Sequence, residues 1–199
     1  MTKSFPRIPS FTELRLGDSH LKETQLSSKK VYEGYYLQLM QDRVTLPDGK
    51  EAGREYLIHP GAVAIIPMLP DGRILLERQY RYPLHQAFLE IPAGKLDAGE
   101  DSLTCAKREL QEETGFIAND WIFLGKIHPI ISHSTEFIDI YLAKDLSFAH
   151  QKLDDGEFLD IFGAYIQEIE DWIKEGLITD VKTIISTYWL RDLQVRSDE

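Results

Sequence analysis

Between residues 94 and 116 the chain places six acids and three bases, and their spacing invites a chemical reading. Glu109, Glu112 and Glu113 follow Asp101, which suits a helix N-cap, and precede Gly115, which suits the residue after a helix end. On a helix advancing about 100° per residue, Glu112 lies about 60° to one side of Glu109 and Glu113 about 40° to the other. The three carboxylates therefore fan over roughly one quadrant, with Leu103, Ala106 and Leu110 on the neighbouring sector, facing inward. Arg108 stands four residues before Glu112, within reach of it. Glu109 and Glu113 are like charges at i, i+4 and oppose an isolated helix by roughly 0.2–0.5 kcal/mol, so the arrangement asks for a cation. A bare acidic helix face is most simply a solvated surface. As a chemical device, it is a set of hard oxygen ligands of the kind Mg²⁺ prefers while it keeps several of its waters.

The flanks decide between these readings. Gly94, Glu100, Arg108, Glu109, Leu110, Glu112, Glu113, Gly115 and Phe116 fill every fixed position of the pattern Gly-x5-Glu-x7-Arg-Glu-U-x-Glu-Glu-x-Gly-U, with U a bulky apolar residue. A chance match in a chain of average composition is on the order of 10⁻⁷. The segment resembles the box of the Nudix hydrolases. The resemblance implies a loop-helix-loop that binds Mg²⁺, with Mn²⁺ a possible substitute, and hydrolyses a nucleoside diphosphate linked to another moiety. It assigns Glu109, Glu112, Glu113 and the carbonyl of Ala93 to the metal, and gives Arg108 and Glu100 the task of orienting those carboxylates.

The similarity runs over residues of about 30 to 190. The segments Arg54–Ala64, Arg78–Arg81, Leu89–Lys95 and Leu153–Glu157 look like the ADP-ribose pyrophosphatase branch. That branch implies a homodimer in which a small N-terminal β-domain is exchanged to complete the substrate site. Carried over by position, Tyr35 would meet the nucleobase and ribose end, together with Arg54, the latter contributed by the partner subunit. Arg81 would face the diphosphate, Glu136 the substrate, and Glu157 would add a metal ligand. Asp155 falls where the branch has the loop base that activates water, with Asp standing for Glu and shortening the reach. Read by themselves, Tyr35 suits sheet packing, Arg81 a surface ion pair and Asp154–Asp155 an acidic turn. Ile131 occupies the place of a proline typical of ADP-ribose hydrolases, which keeps GDP-mannose or another nucleoside diphosphate sugar open as substrate. A non-catalytic nucleotide-sugar sensor on the same scaffold is a further alternative, although such proteins commonly lose box carboxylates and none is missing here.

These residues need a scaffold to hold them, and the pattern around them is that of an α+β protein. Strands are expected at Val31–Leu39, Arg43–Leu46 and Glu55–Ile58, with a hairpin turn at Leu46–Lys50. A buried strand is expected at Gly61–Leu69, a turn at Pro70–Arg73 and another strand at Ile74–Tyr82. Residues 1 to about 30 read as polar and irregular. Further strands fall near Trp121–Ile127 and Phe137–Leu142. An amphipathic helix carries Ile166, Ile169, Trp172 and Ile173, and a last helix starts after Thr179 or Asp180. The expected fold is a Nudix-type α/β/α sandwich with a mixed sheet over residues 58–199, preceded by a small antiparallel β-domain over residues 1–57.

Composition narrows the function classes. The 199 residues carry 33 acids against 22 Lys and Arg, a net charge of −11. That balance excludes a basic nucleic-acid groove or an anionic-membrane surface. No apolar signal segment stands at Met1–Phe11, the apolar run Ala62–Leu69 is far too short to span a bilayer, and Cys105 has no second cysteine to pair with. A cytoplasmic, reducing location is expected, with Cys105 a packing residue. P-loop, His-Glu-x-x-His zinc and Gly-x-Ser-x-Gly motifs are missing.

Overall fold

The computed structural model describes residues 19–153 and 155–197. Asp154, half of the expected acidic turn, and residues 1–18 of the polar lead-in lie outside the described residues. The chain divides into two compact units, one ending at Ile58 and one beginning at His59.

The first unit is an antiparallel sheet of β1 (Thr24–Glu33), β2 (Gln38–Thr45) and β3 (Glu51–Ile58) in that order. The hairpin at Leu46–Lys50 closes as its sequence dictates. Gly49 takes φ +83°, its N–H donates to the Leu46 carbonyl at 2.9 Å, and the Leu46 N–H donates to Lys50 at 2.7 Å. Two expectations fail here. The continuous strand expected over Val31–Leu39 is broken, because the Gly34 N–H turns back to the Leu37 carbonyl at 2.9 Å and the chain reverses. The polar tract expected to be irregular forms β1, whose ladder with β2 requires backbone pairing but no apolar alternation.

Among the described residues the second unit contains two sheets, three α-helices and a short 3-10 turn at Tyr82–Leu84. Its strands are β4 (Ala62–Pro67), β5 (Ile74–Arg81), β6 (Gln86–Glu90), β7 (Ala93–Lys95), β8 (Phe116–Ile127), β9 (Ile138–Phe148) and β10 (Leu159–Ala164). The helices are α1 (Ser102–Thr114), α2 (Ile166–Lys174) and α3 (Val181–Ser197). One sheet has the order β7-β4-β9-β8, mixed because β4 and β9 run parallel; the other, β10-β5-β6, is antiparallel. β4 is buried along its whole length, which a strand needs when both faces of its sheet are covered. Val63 and Ile65 join Cys105, Ala106 and Leu110 of α1 on one face. Ala62, Ala64 and Ile66 join Ile166 and Ile169 of α2 and Leu190 of α3 on the other. The alternation of β4 thus sets helices on both sides of the mixed sheet, in the α+β class with an added N-terminal antiparallel sheet. β6, β7 and β10 were not foreseen: all are short, and the ladders of β7 with β4 and of β10 with β5 join residues far apart in the chain.

Candidate active site

The acidic helix is anchored at both ends. The Asp101 carboxylate accepts the N–H groups of Leu103 at 3.1 Å and Thr104 at 3.0 Å, and Gly115 closes the C-terminus at φ +77°. Its apolar sector packs on β4, so the carboxylates on the adjoining sector turn toward β7. The contact there is close. A Cβ on Gly94 would fall 1.9 Å from the Glu109 carboxyl, so glycine is required by proximity. The Ala93 N–H donates to Glu113 Oε2 at 3.0 Å.

Arg108 gathers the other acids. Its guanidinium donates to Glu109 Oε1 at 2.8 Å, Glu112 Oε2 at 2.9 Å, and both oxygens of Glu100 at 3.0 and 2.9 Å. Those bonds hold Glu100 at a pKa of about 2, where it stays ionised. Glu109 behaves differently. Burial pushes it up to about 7 against the pull of Arg108, with the charges of Glu112 and Glu157 adding to the rise. Glu113 is buried and raised well above its ordinary value, first by burial and then by the charges of Glu77, Glu109 and Glu157. Burial thus favours the protonated form of Glu113, and ionising it calls for positive charge that Arg108, engaged with Glu100, Glu109 and Glu112, does not supply. Among the described residues, no three His, Cys, Asp or Glu side chains converge closely enough to hold an ion as they stand. Arg108 draws Glu109 and Glu112 toward itself. The donors nevertheless suit a hard divalent cation, since they are carboxylate oxygens, and buried carboxylate oxygens of Glu77 remain without any hydrogen-bond partner.

Beside this helix lies a cleft of about 350 Å³ lined by His59, Arg81, Glu90, Lys95, Glu136 and Lys182, together with Ala93 and Gly94. Arg81 grips Glu90 with two bonds, Nε to Oε1 at 2.7 Å and Nη2 to Oε2 at 2.8 Å. Lys182 also donates to Glu90 and stands 3.1 Å from Asp180. Burial raises Glu90, but the two cations more than offset it and its pKa is lowered. His59 stands 4.0 Å from Glu136 and is lowered mainly by burial, which Glu136 opposes and Lys95 reinforces.

The structure thus brings Ala93, Arg108, Glu109, Glu112, Glu113, Arg81 and Glu136 to one side of the second unit. Glu157 is half-buried and accepts from Gln79 Nε2 at 3.3 Å, while Asp155 is exposed on the turn before it. Tyr35 and Arg54 belong to the first unit. Tyr35 stands against Tyr36 at 4.5 Å between centroids, and Arg54 is paired with Glu23. Cys105 is buried, with its thiol on the Lys95 carbonyl at 3.3 Å and burial pushing its pKa up to about 12, as packing requires. Sequence reasoning missed Glu77, Glu90, His59 and Lys182. For Glu77 a signal existed: an acid directly after Ile74, Leu75 and Leu76, inside an apolar strand.

Residues 58–180 match the NUDIX domain, and residues 23–57 match the nucleoside diphosphate sugar hydrolase N-terminal domain. A methanol dehydrogenase activator of Bacillus methanolicus is 37% identical over 172 residues, 85% of this chain and 93% of that protein. The ADP-ribose pyrophosphatase of Bacillus subtilis is 32% identical over 173 residues, 86% of this chain and 94% of that one. A crystal structure of an ADP compounds hydrolase has the same fold, with a TM-score of 0.82 at 24% identity, covering 91% of this chain and 98% of its own. The intact box on α1, the match across most of the second unit and the full-length similarity to these relatives lead to one conclusion: the chain belongs to the Nudix family and is a Nudix hydrolase.

Proposed function

We propose that the protein hydrolyses the diphosphate bond of ADP-ribose or a related ADP-sugar, giving a nucleoside monophosphate and a sugar phosphate. The observation that carries this reading is the complete carboxylate set of α1, with buried Glu113 held by the Ala93 N–H, beside a cleft bordered by Arg81, Lys95 and Lys182. The relatives named ADP-ribose pyrophosphatase supply the substrate class.

The Ala93 carbonyl with Glu109, Glu112, Glu113 and Glu157 would hold Mg²⁺, or Mn²⁺ in its place. Bound there, the ion screens the diphosphate, polarises phosphorus and acidifies a water. Arg108 keeps Glu109 and Glu112 on one side of the helix and Glu100 ionised. Arg81 and Glu136 face the substrate across the cleft, and Tyr35 and Arg54 bind its nucleobase and ribose end. Asp155 takes the proton of the attacking water while an oxygen–phosphorus bond forms, the bridging bond breaks and the second phosphate departs. The protein acts as a homodimer in the cytoplasm. Its first unit supports the dimer: among the described residues it buries one apolar side chain, Val44, and leaves Tyr32, Tyr35, Tyr36 and Leu37 exposed. No helix among the described residues is long and apolar enough to cross a membrane.

A second reading, hydrolysis of GDP-mannose or another nucleoside diphosphate sugar, is favoured by Ile131 in place of the proline and by the N-terminal domain match. A turnover panel decides between them: ADP-ribose, ADP-glucose, GDP-mannose, UDP-glucose, NADH and diadenosine polyphosphates, each with and without Mg²⁺. ADP-ribose should be preferred, and Glu113→Gln should lose about 10²-fold or more in turnover while keeping its circular-dichroism spectrum. Binding without turnover across the panel would make the protein a sensor.

A further inference from the structure

β5 carries an acid that no part of the proposed mechanism uses. Glu77 is completely buried (0% exposed), and neither of its carboxylate oxygens has a hydrogen-bond partner. A buried carboxylate without hydrogen-bond partners from the protein is costly unless a bound group compensates it. The neighbouring cations are committed elsewhere. Arg81 approaches Glu77 only to 4.0 Å and directs its two short bonds at Glu90. Lys182 attracts Glu77 but donates to Glu90 and pairs with Asp180. Glu90 is also the residue directly across the ladder from Glu77, so two buried acids oppose each other and only one is satisfied.

The alternation of β5 places Glu77 on the same face as Gln79 and Arg81. Gln79 reaches Glu157, and Arg81 borders the cleft. Glu90, which faces Glu77 across the ladder, is three residues before Ala93, whose N–H donates to Glu113 at 3.0 Å. The orphaned carboxylate therefore stands among the groups to which the cation has been assigned, on a strand instead of on the helix or its loops.

We propose that Glu77 belongs to the divalent-cation centre as a positioning carboxylate, accepting hydrogen bonds from the waters that the cation retains. Mg²⁺ keeps several waters when it binds, and each needs an acceptor in a buried site. The inference rests on the assignment of the cation to Glu109, Glu113 and Glu157, and the test separates the two.

Binding of Mn²⁺ alone is measured by electron paramagnetic resonance and calorimetry on wild type, Glu77→Gln and Glu113→Gln, with the melting temperature of each in EDTA and in Mn²⁺. Glu77→Gln should weaken Mn²⁺ about ten- to a hundredfold, the range for partners of metal ligands. Its melting temperature in EDTA should equal or exceed that of wild type, because Gln is neutral at every pH whereas Glu77 must hold a proton or bury a charge there, while its rise on adding Mn²⁺ should shrink. Wild-type Mn²⁺ affinity in Glu77→Gln overturns the inference. So does a lowered melting temperature in EDTA with affinity unchanged, which would make Glu77 a structural partner of Arg81 and Lys182. In either case, loss of binding in Glu113→Gln leaves the assigned cation site standing, whereas a wild type that binds no Mn²⁺ removes both. If Glu77→Gln does not fold, Glu77→Asp decides: it keeps the charge but withdraws it, and an unchanged affinity overturns the inference.

Discussion

Glu109 and Glu113 differ from Glu100 in what surrounds them, and that difference has a pH signature. Glu100 is held at about 2 by Arg108, whereas burial lifts Glu109 to about 7 and Glu77 to about 8 from an ordinary 4.5. A carboxyl whose folded pKa is raised binds its proton more tightly in the native state. Its stabilisation is therefore present below about pH 4.5 and is lost as the pH rises through the folded value. His59, lowered by burial, works in the opposite sense below its ordinary 6.5, so a difference between variants is the useful readout. In EDTA, Glu109→Gln should gain melting temperature relative to wild type between pH 5 and pH 8, and saturating Mg²⁺ should remove much of that gain by stabilising the ionised wild type. A constant offset across that range would show that Glu109 titrates as an ordinary surface carboxyl.

At the scale of elements, α1 carries both the inward stripe and the carboxylates, so its packing and its chemistry are coupled. Leu110 is fully buried against Val63 and Ile65 of β4, one residue from Glu109. Leu110→Ala should cost about 2–5 kcal/mol in urea unfolding, the usual result of opening a core cavity. Turnover should fall as well, because the helix face that meets Gly94 loses its support. Unchanged turnover in a destabilised Leu110→Ala would show that β7 alone fixes the carboxylates. This helix was readable from sequence because cap, stripe and closing glycine are all local. The strand expected over Val31–Leu39 was not, because the apolar residues continue through the reversal at Gly34 and nothing in the period marks the turn. β10 likewise has no cue of its own, since its ladder lies with β5, about eighty residues earlier.

At the scale of the whole molecule, the proposed function draws on residues of both units. Tyr35 and Arg54 are on the first unit, and the carboxylates are on the second. In the proposed exchanged dimer, Arg54 of the partner subunit serves the site formed by the other chain. Arg54→Ala and Glu113→Gln should each be nearly inactive. When the two are refolded together, the mixed dimers should recover activity, because one of their two sites then has both native residues. Sedimentation equilibrium should report a dimer throughout. Absence of recovery in demonstrably mixed dimers would place Arg54 in its own chain's site, or in none.

The spacing from Gly94 to Phe116 determined the α1 carboxylate fan, its caps, its inward stripe and the resemblance to the family, because all of these depend on residues within about two dozen positions. The like charges of Glu109 and Glu113 at i, i+4 ask for a cation on the same local grounds. What tertiary structure decided was the charge environment. Glu77 lies next to Glu90 by strand pairing and in the field of Glu113, and Lys182 reaches Glu90 across 92 residues of chain. Burial and long-range pairing set which carboxylates stay ionised and which hold protons, and neither is written in the spacing of a motif. Hence the ligand helix is legible in the sequence, whereas the run before Glu77 marks only a buried acid, and strand pairing decides that Glu90 and not Glu77 receives the nearby cations.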